Sequence, residues 1–224
     1  MTAPTLELLH QDDHLLVVNK PSGLIVHRGW GHDRVTLMSL LRSQLGTDGS
    51  LHPVGRLDRG ASGALLCALD PETARALSEG EVQKRYLTLV RGVPPERGTV
   101  DHPIPRRPGG PRVPAVSDFR LLQRAETEPR TTALVEVTPR TGRLHQVRRH
   151  LKHLSHPLIG DANYGKGPIN REMATRYGLR RLALHAHGIW FYHPADGARL
   201  ELDAPLPADL AQPLAKMGYC VKDL

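Results

Sequence analysis

The stretch His52-Pro-Val-Gly-Arg-Leu-Asp-Arg-Gly-Ala-Ser-Gly63 runs straight into the apolar segment Ala64-Leu-Leu-Cys-Ala-Leu69. A polar loop punctuated by glycines and followed by six apolar residues reads as a turn feeding a buried strand. Loops held at strand ends are where catalytic side chains concentrate. Asp58, flanked by Arg56 and Arg59, is a carboxylate that nearby cations would keep ionised, as a nucleophile or base must be. Read locally, an Asx-type turn aspartate that merely caps the loop is the simpler account.

Working outward, similar strand-like stretches recur at residues 15–19, 24–27, 86–91, 117–122, 132–137, 182–187 and 189–192. Helical signals are fewer. Leu37, Leu40, Leu41 and Leu45 give residues 35–45 an apolar stripe. Asp70, Pro71 and Gly80 punctuate residues 71–79 as N-cap, first helical residue and stop. Two more helices are expected over about 144–154 and over 208–217. Strands outnumber helices and do not alternate with them, which predicts an α+β fold with a mostly antiparallel sheet. Residues 104–114 hold four prolines and two glycines and read as a mobile surface loop rather than a domain linker.

The 224 residues carry 30 Lys+Arg and 23 Asp+Glu, a formal net charge of +7. With 39% apolar and 24% charged residues the chain reads as globular, neither disordered nor fibrous. The run 64–69 is the longest apolar one, far short of the roughly 20 residues a membrane span needs. No secretory signal is visible at the start. Cys67 and Cys220 form no CxxC, which fits a reducing cytoplasm better than a disulfide scaffold. The charge is concentrated: residues 139–181 contain ten Lys+Arg and two Asp+Glu, or +8, leaving −1 for the rest. A concentrated positive region is what a polyanion-binding face requires; a merely solvated basic surface would look the same.

Within that region lies Thr141-Gly-Arg-Leu-His-Gln-Val-Arg-Arg-His150, followed by Leu-Lys-His-Leu-Ser-His-Pro157. On a helix, Leu144, Val147, Leu151 and Leu154 share one stripe, and Arg149, His150, Lys152 and His153 occupy the other faces. Together with Arg143, His145 and Lys20 these are the candidate contacts for a polyanion. Arg148 falls at the margin of the stripe, about 100° from Val147, where it can reach inward to a buried or cleft carboxylate. His150 and His153 have a helical metal-ligand spacing, but no nearby Cys or Glu completes a site, so no metal is expected.

Six segments occur in order along the chain: Val18-Asn-Lys-Pro-Ser-Gly-Leu-Ile-Val-His27, Gly55-Arg-Leu-Asp-Arg-Gly-Ala-Ser-Gly63, Lys84-Arg-Tyr86, Thr141-Gly-Arg-Leu-His-Gln-Val-Arg148, His156-Pro-Leu-Ile-Gly-Asp161 and Leu184-His-Ala186. Together they resemble the pseudouridine synthases of the branch that shares an Arg-Leu-Asp motif and includes bacterial large-subunit rRNA and tRNA enzymes. Val26-His-Arg-Gly-Trp30 and Pro114-Ala-Val-Ser117 are most similar to members that modify uridine 65 in the T stem of tRNA. The resemblance implies the pseudouridine synthase fold, a mixed sheet flanked by helices and loops around a central RNA-binding cleft. It implies one catalytic domain over residues 1–224, without the extra N-terminal RNA-binding domain of many rRNA enzymes.

The same resemblance implies a catalytic role for Asp58. Arg56 would enter the space left by a flipped nucleotide, and Tyr86 would pack beside the target uracil. Arg148 would pair with Asp58, and Leu184 would line the uracil pocket. Two departures stand out: Gly55 where the branch usually has His, and Ala61 where Thr is usual. The implied reaction breaks the N1–C1′ bond of uridine, turns the base and joins C5 to C1′. The leaving group becomes the nucleophile, so one carboxylate can serve where a glycosidase needs two. No cofactor motif is present, and none is implied. The expected partner is RNA, tRNA first and 23S rRNA as the alternative, bound by a monomer in the cytoplasm. A non-catalytic RNA-binding or chaperone protein and a uridine-cleaving hydrolase are the rival classes.

Overall fold

The apolar run after the Asp58 loop does become a strand. In the computed structural model, which describes residues 5–27, 35–47, 49–107 and 109–221, Ser62–Ala68 is extended and all seven residues are buried. The elements in chain order are β1 Leu8–Gln11, β2 Leu15–Lys20, α1 Leu37–Leu45, β3 His52–Val54, β4 Ser62–Ala68 and α2 Pro71–Glu79. They continue with β5 Val82–Arg91, β6 Arg97–Asp101, β7 Ile104–Pro105, β8 Arg112–Val113, β9 Val116–Ala125 and β10 Thr132–Pro139. The last are α3 Gln146–His153, α4 Gly167–Tyr177, β11 Leu184–Tyr192, β12 Arg199–Asp203 and α5 Ala208–Lys216.

The chain folds into two compact units. The first comprises Met1–Lys84 and Ala186–Pro205, the second Arg85–His185 and Leu206–Leu224, with β5 and β11 running through the boundaries. In the first unit β1 and β3 flank the antiparallel pair β2–β4, and β12 lies antiparallel to β11. Ala64, Leu66 and Ala68 of β4 pack with Leu15 and Val17 of β2, Leu77 of α2, and Ile189 and Phe191 of β11. Each fully buried valine, leucine, isoleucine or phenylalanine there contributes about 1.5–3 kcal/mol. α2 starts and stops as its punctuation predicts: the Asp70 carboxylate accepts from the Thr73 amide, and Pro71 stands in the first turn.

In the second unit β10 lies between β5 and β9, and β6 closes the edge, all antiparallel. Leu87, Leu89 and Leu134 of this sheet pack against Met173 of α4 and Leu210 and Leu214 of α5. α4 has no counterpart among the expected elements. The expected strand at residues 24–27 is absent for a physical reason. The carbonyls of Ile25 and Val26 accept from Leu37 and Met38, the first amides of α1, and that of Leu24 accepts from Lys20. Residues 28–30 of the Val26-His-Arg-Gly-Trp30 motif lie outside the described residues. The proline-rich stretch, expected as an irregular loop, pairs Ile104 with Val113 and Pro105 with Arg112 in a short ribbon.

Candidate active site

The loop that carries Asp58 is held from below by the Val18-Asn-Lys-Pro-Ser-Gly segment. The Ser22 hydroxyl donates to the Gly60 carbonyl (2.8 Å), and the Gly23 amide to the Arg59 carbonyl (2.8 Å). Lys20 is the third tie. Its ammonium donates to the carbonyls of Pro21 (2.9 Å) and Leu24 (2.8 Å) and lies 3.4 Å from that of Arg59. With no exposed surface, Lys20 is among the largest fully buried side chains of the described residues and cannot meet a phosphate where it stands. Its expected role as an RNA contact is corrected: its ammonium satisfies backbone carbonyls beneath the loop, offsetting the cost of burying those polar groups.

Within the loop, Leu57 points into the core, Asp58 is half-buried and Arg56 and Arg59 are exposed. The Asp58 carbonyl accepts from the Ala61 amide (3.1 Å), closing a turn. Both departures from the branch pattern have structural counterparts. Gly55 has φ +78°, in the region glycine occupies without penalty and histidine does not. Ala61 is fully buried, where a threonine hydroxyl would need a partner. Gly63, the second residue of β4, has φ +109°; a Cβ there would stand 2.2 Å from the Ala186 carbonyl oxygen.

In the second unit, Tyr86 lies on β5 opposite Val137 of β10 and is half-buried. Leu184 is buried at the start of β11, its carbonyl accepting from Arg181, whose guanidinium also donates to Leu182 and to Asp209 of α5. The Thr141-Gly-Arg motif is organised by a residue the sequence reading passed over. Buried Gln146 accepts from the Thr141 hydroxyl (2.7 Å) and the Arg143 amide (3.0 Å), and donates to the Val116 carbonyl (2.8 Å) and the Ser117 hydroxyl (2.9 Å). All its capacity is spent on fixing the turn to β9.

α3 then presents its basic residues unequally. Arg148 is buried and grips Asp161 with two bonds, Nε–Oδ2 2.7 Å and Nη2–Oδ1 2.8 Å. Burial pushes the Asp161 carboxyl up, but the bonds and charge of Arg148, with the amides of Tyr164 and Asn163, outweigh it and hold the group below the ordinary carboxylate range. The inward reach expected of Arg148 therefore finds a buried carboxylate, Asp161, which sequence reading quoted in a motif without giving it a role. Two of the five N–H groups of Arg148 are committed there.

His150 departs from expectation. It is fully buried, with Nδ1 2.9 Å from the Ser117 hydroxyl and Nε2 3.1 Å from the His102 carbonyl, so it is a packing residue and not part of the RNA-facing surface. Burial lowers its pKa below the ordinary histidine value. Arg143 and Lys152 are exposed, and His153 stacks on His102 at 3.7 Å. His145 adopts a left-handed backbone (φ 55°) just before α3, with Nδ1 3.0 Å from the Tyr164 hydroxyl. Arg149 donates to that hydroxyl (2.8 Å) and to the Pro105 carbonyl (2.8 Å). Of the ten cations in residues 139–181, four have carboxylate partners among the described residues: Arg140 with Asp118, Arg148 with Asp161, Arg176 with Glu172 and Arg181 with Asp209.

The sequence model of the RNA pseudouridylate synthase family matches residues 14–153, from the strand β2 to the end of α3. Two relatives called tRNA pseudouridine synthase C match over most of their length. The one from Pasteurella multocida (strain Pm70) is 41% identical over 213 residues, covering 85% of this chain and 87% of that one. The one from Haemophilus ducreyi is 39% identical over 240 residues, covering 97% and 98%. Among solved structures, Human RNA Pseudouridylate Synthase Domain Containing 4 superposes with a TM-score of 0.73 at 28% identity, covering 94% of this chain and 92% of that one. Human RNA Pseudouridylate Synthase Domain Containing 1 gives 0.74 at 27% identity, covering 94% and 89%.

This chain belongs to the RNA pseudouridylate synthase family. It has that family's α+β fold and is an isomerase that makes pseudouridine in RNA. No helix among the described residues is long and apolar enough to cross a membrane.

Proposed function

We propose that the substrate is tRNA, with uridine 65 of the T stem as the target and Asp58 as the catalytic carboxylate. The observation that supports tRNA is the likeness, over nearly the whole chain, to relatives called tRNA pseudouridine synthase C. In this proposal residues 1–224 act as one catalytic domain, monomeric and cytoplasmic.

Duplex RNA offers a protein mainly shape and backbone, which suits the cations Arg143, Arg149 and Lys152, with His153 beside them as a hydrogen-bonding group, on and beside α3. The target base must leave its stack at a cost of a few kcal/mol, which phosphate contacts would offset. Arg56 would fill the vacated space and Tyr86 would stack on the flipped uracil, with Leu184 lining the pocket. Asp58 would drive cleavage of the N1–C1′ bond, by adding to C1′ or by removing a ribose proton. Uracil then turns and C5 bonds to C1′ as the Asp58–C1′ bond breaks or the ribose proton returns, after which the C5 proton leaves and N1 takes one up. Arg148, already oriented by Asp161, would serve as the basic partner of Asp58 in the reaction. Pseudouridine mapping of tRNA and rRNA from cells with and without the gene tests the substrate. Loss confined to tRNA position 65 is expected, and loss at a 23S rRNA site with intact tRNA would overturn it.

A further inference from the structure

Asp161 begins a tight turn that ends in an aromatic ring. Its Oδ1 accepts from the amides of Asn163 (2.9 Å) and Tyr164 (3.0 Å), and its carbonyl accepts from Gly165 (3.1 Å) and from the Asn170 side chain (3.0 Å). The turn has no slack. A Cβ on Gly160 would stand 1.8 Å from the Arg181 carbonyl oxygen, and one on Gly165 2.4 Å from that of Asp161. Tyr164 is therefore presented to α3 from a fixed base.

Three cations of α3 gather on that ring. The guanidinium carbons of Arg148 and Arg149 lie 5.0 and 5.6 Å from its centroid, and Lys152 Nζ lies 5.7 Å away. Such distances are those of attraction between a cation and the negative face of an aromatic ring. The hydroxyl accepts from Arg149 Nε at 2.8 Å, leaving its own proton for His145 Nδ1 at 3.0 Å, and the two rings meet edge to face. Cations at positions 148, 149 and 152 repel one another on so short a helix. Asp161 balances one of them, and the quadrupole of Tyr164 is shared by all three. A ring serving only to fill space would be covered by apolar side chains. This one is half-buried and surrounded by the basic residues of the site.

We propose that Tyr164 is a positioning residue for the isomerisation, its ring aligning Arg148 and its hydroxyl aligning Arg149 and His145 for the RNA. The proposal rests on the reading above, in which Arg148 supports Asp58 and the basic face of α3 holds the substrate. Ring and hydroxyl thereby have separable effects, the first on the chemical step and the second on binding, which packing alone would not produce.

The test compares the full-length wild-type, Tyr164→Phe, Tyr164→Leu and Asp58→Asn proteins, measuring single-turnover pseudouridine formation in a tRNA transcript and transcript affinity. Tyr164→Phe keeps the ring, so its rate constant at saturating enzyme is expected within about twofold of wild type, while Kd rises about fivefold from the lost hydroxyl bonds. Tyr164→Leu is expected to lose about tenfold or more in rate as well. Wild-type affinity in Tyr164→Phe overturns the proposal, and that arm alone decides it should Tyr164→Leu fail to fold. So does a Tyr164→Leu rate within twofold of wild type. If Asp58→Asn still forms pseudouridine, the underlying reading of Asp58 fails. If Asp58→Asn is inactive and both Tyr164 variants behave as wild type, only the role of Tyr164 falls.

Discussion

Replacing Asp161 by Asn changes one buried atom and puts a single claim at risk. In the wild type, Oδ1 accepts from Arg148 Nη2 and the amides of Asn163 and Tyr164, and Oδ2 accepts from Arg148 Nε. The side chains of Arg148 and Asp161 are 8% and 0% exposed, so solvent cannot substitute. An asparagine can place its oxygen at the Oδ1 position, but its NH2 then faces Arg148 Nε, donor against donor. The loss is one charge-assisted bond, about 1.5–3 kcal/mol, together with the cost of a buried guanidinium left without its counter-charge. Breaking a buried pair from one side costs about 3–5 kcal/mol in all. For a chain of this size that lowers Tm by roughly 6–20 °C. Urea and thermal unfolding of wild type and Asp161→Asn measure the loss. The double variant Arg148→Met/Asp161→Leu removes both charges but leaves the amides of Asn163 and Tyr164 without their acceptor, so it should recover only part of the stability, and no pseudouridine formation. A loss below about 1 kcal/mol in Asp161→Asn would refute the view that this pair is buried and tightly coupled.

Three further outcomes follow from the same geometry. Gly63→Ala should unfold or grossly destabilise the first unit, because its Cβ would lie 2.2 Å from the Ala186 carbonyl oxygen at φ +109°; a Tm within a few degrees of wild type contradicts this. Lys20→Met should cost stability, by about 2 kcal/mol or more for carbonyls left unpaired, yet leave the dependence of RNA affinity on salt unchanged. A flatter salt slope would restore Lys20 to the RNA surface. Because the Asp161 carboxyl is held below its ordinary value near 3.9, its contribution is fully present above that pH and disappears as pH falls through the lower folded-state value. The stability gap between wild type and Asp161→Asn should therefore be constant from pH 7 to about 5 and narrow below about pH 4, as followed by chemical denaturation.

How much of this was legible in the sequence varies by element. β4 could be read because its apolar run is continuous, and α2 because Asp70, Pro71 and Gly80 mark both its ends. α4 buries only Met173 fully, so hydrophobic periodicity gave no sign of it. Its remaining signals were Pro168 in the first turn and Gly178 past the end. β6 buries a single residue, Val100, at a sheet edge, and β3 contains a proline. Neither has the alternation that announces a strand.

For the site, one-dimensional reading found the basic helix and the inward reach of Arg148. It could not distinguish the faces of a helix packed on several sides. His150 and Lys20 look like cations for RNA in a sequence and are buried in the fold, while Gln146, Asp161 and Tyr164 look like ordinary polar residues and organise the site. Beside their near neighbours, Gln146 meets Val116 and Ser117 of β9 and Lys20 lies 3.4 Å from the Arg59 carbonyl, and local pattern carries no record of such distant contacts. The +8 region is accordingly narrower as a binding surface than its count suggests, since Arg140, Arg148, Arg176 and Arg181 have carboxylate partners.

The central claim is that Asp58 performs the chemistry and the basic surface performs the binding. It is tested most directly with tRNA carrying tritium at C5 of uridine, which is released when C5 bonds to C1′. Asp58→Asn should bind that tRNA with an affinity close to wild type and release no tritium. Release at a rate approaching wild type would contradict the assignment.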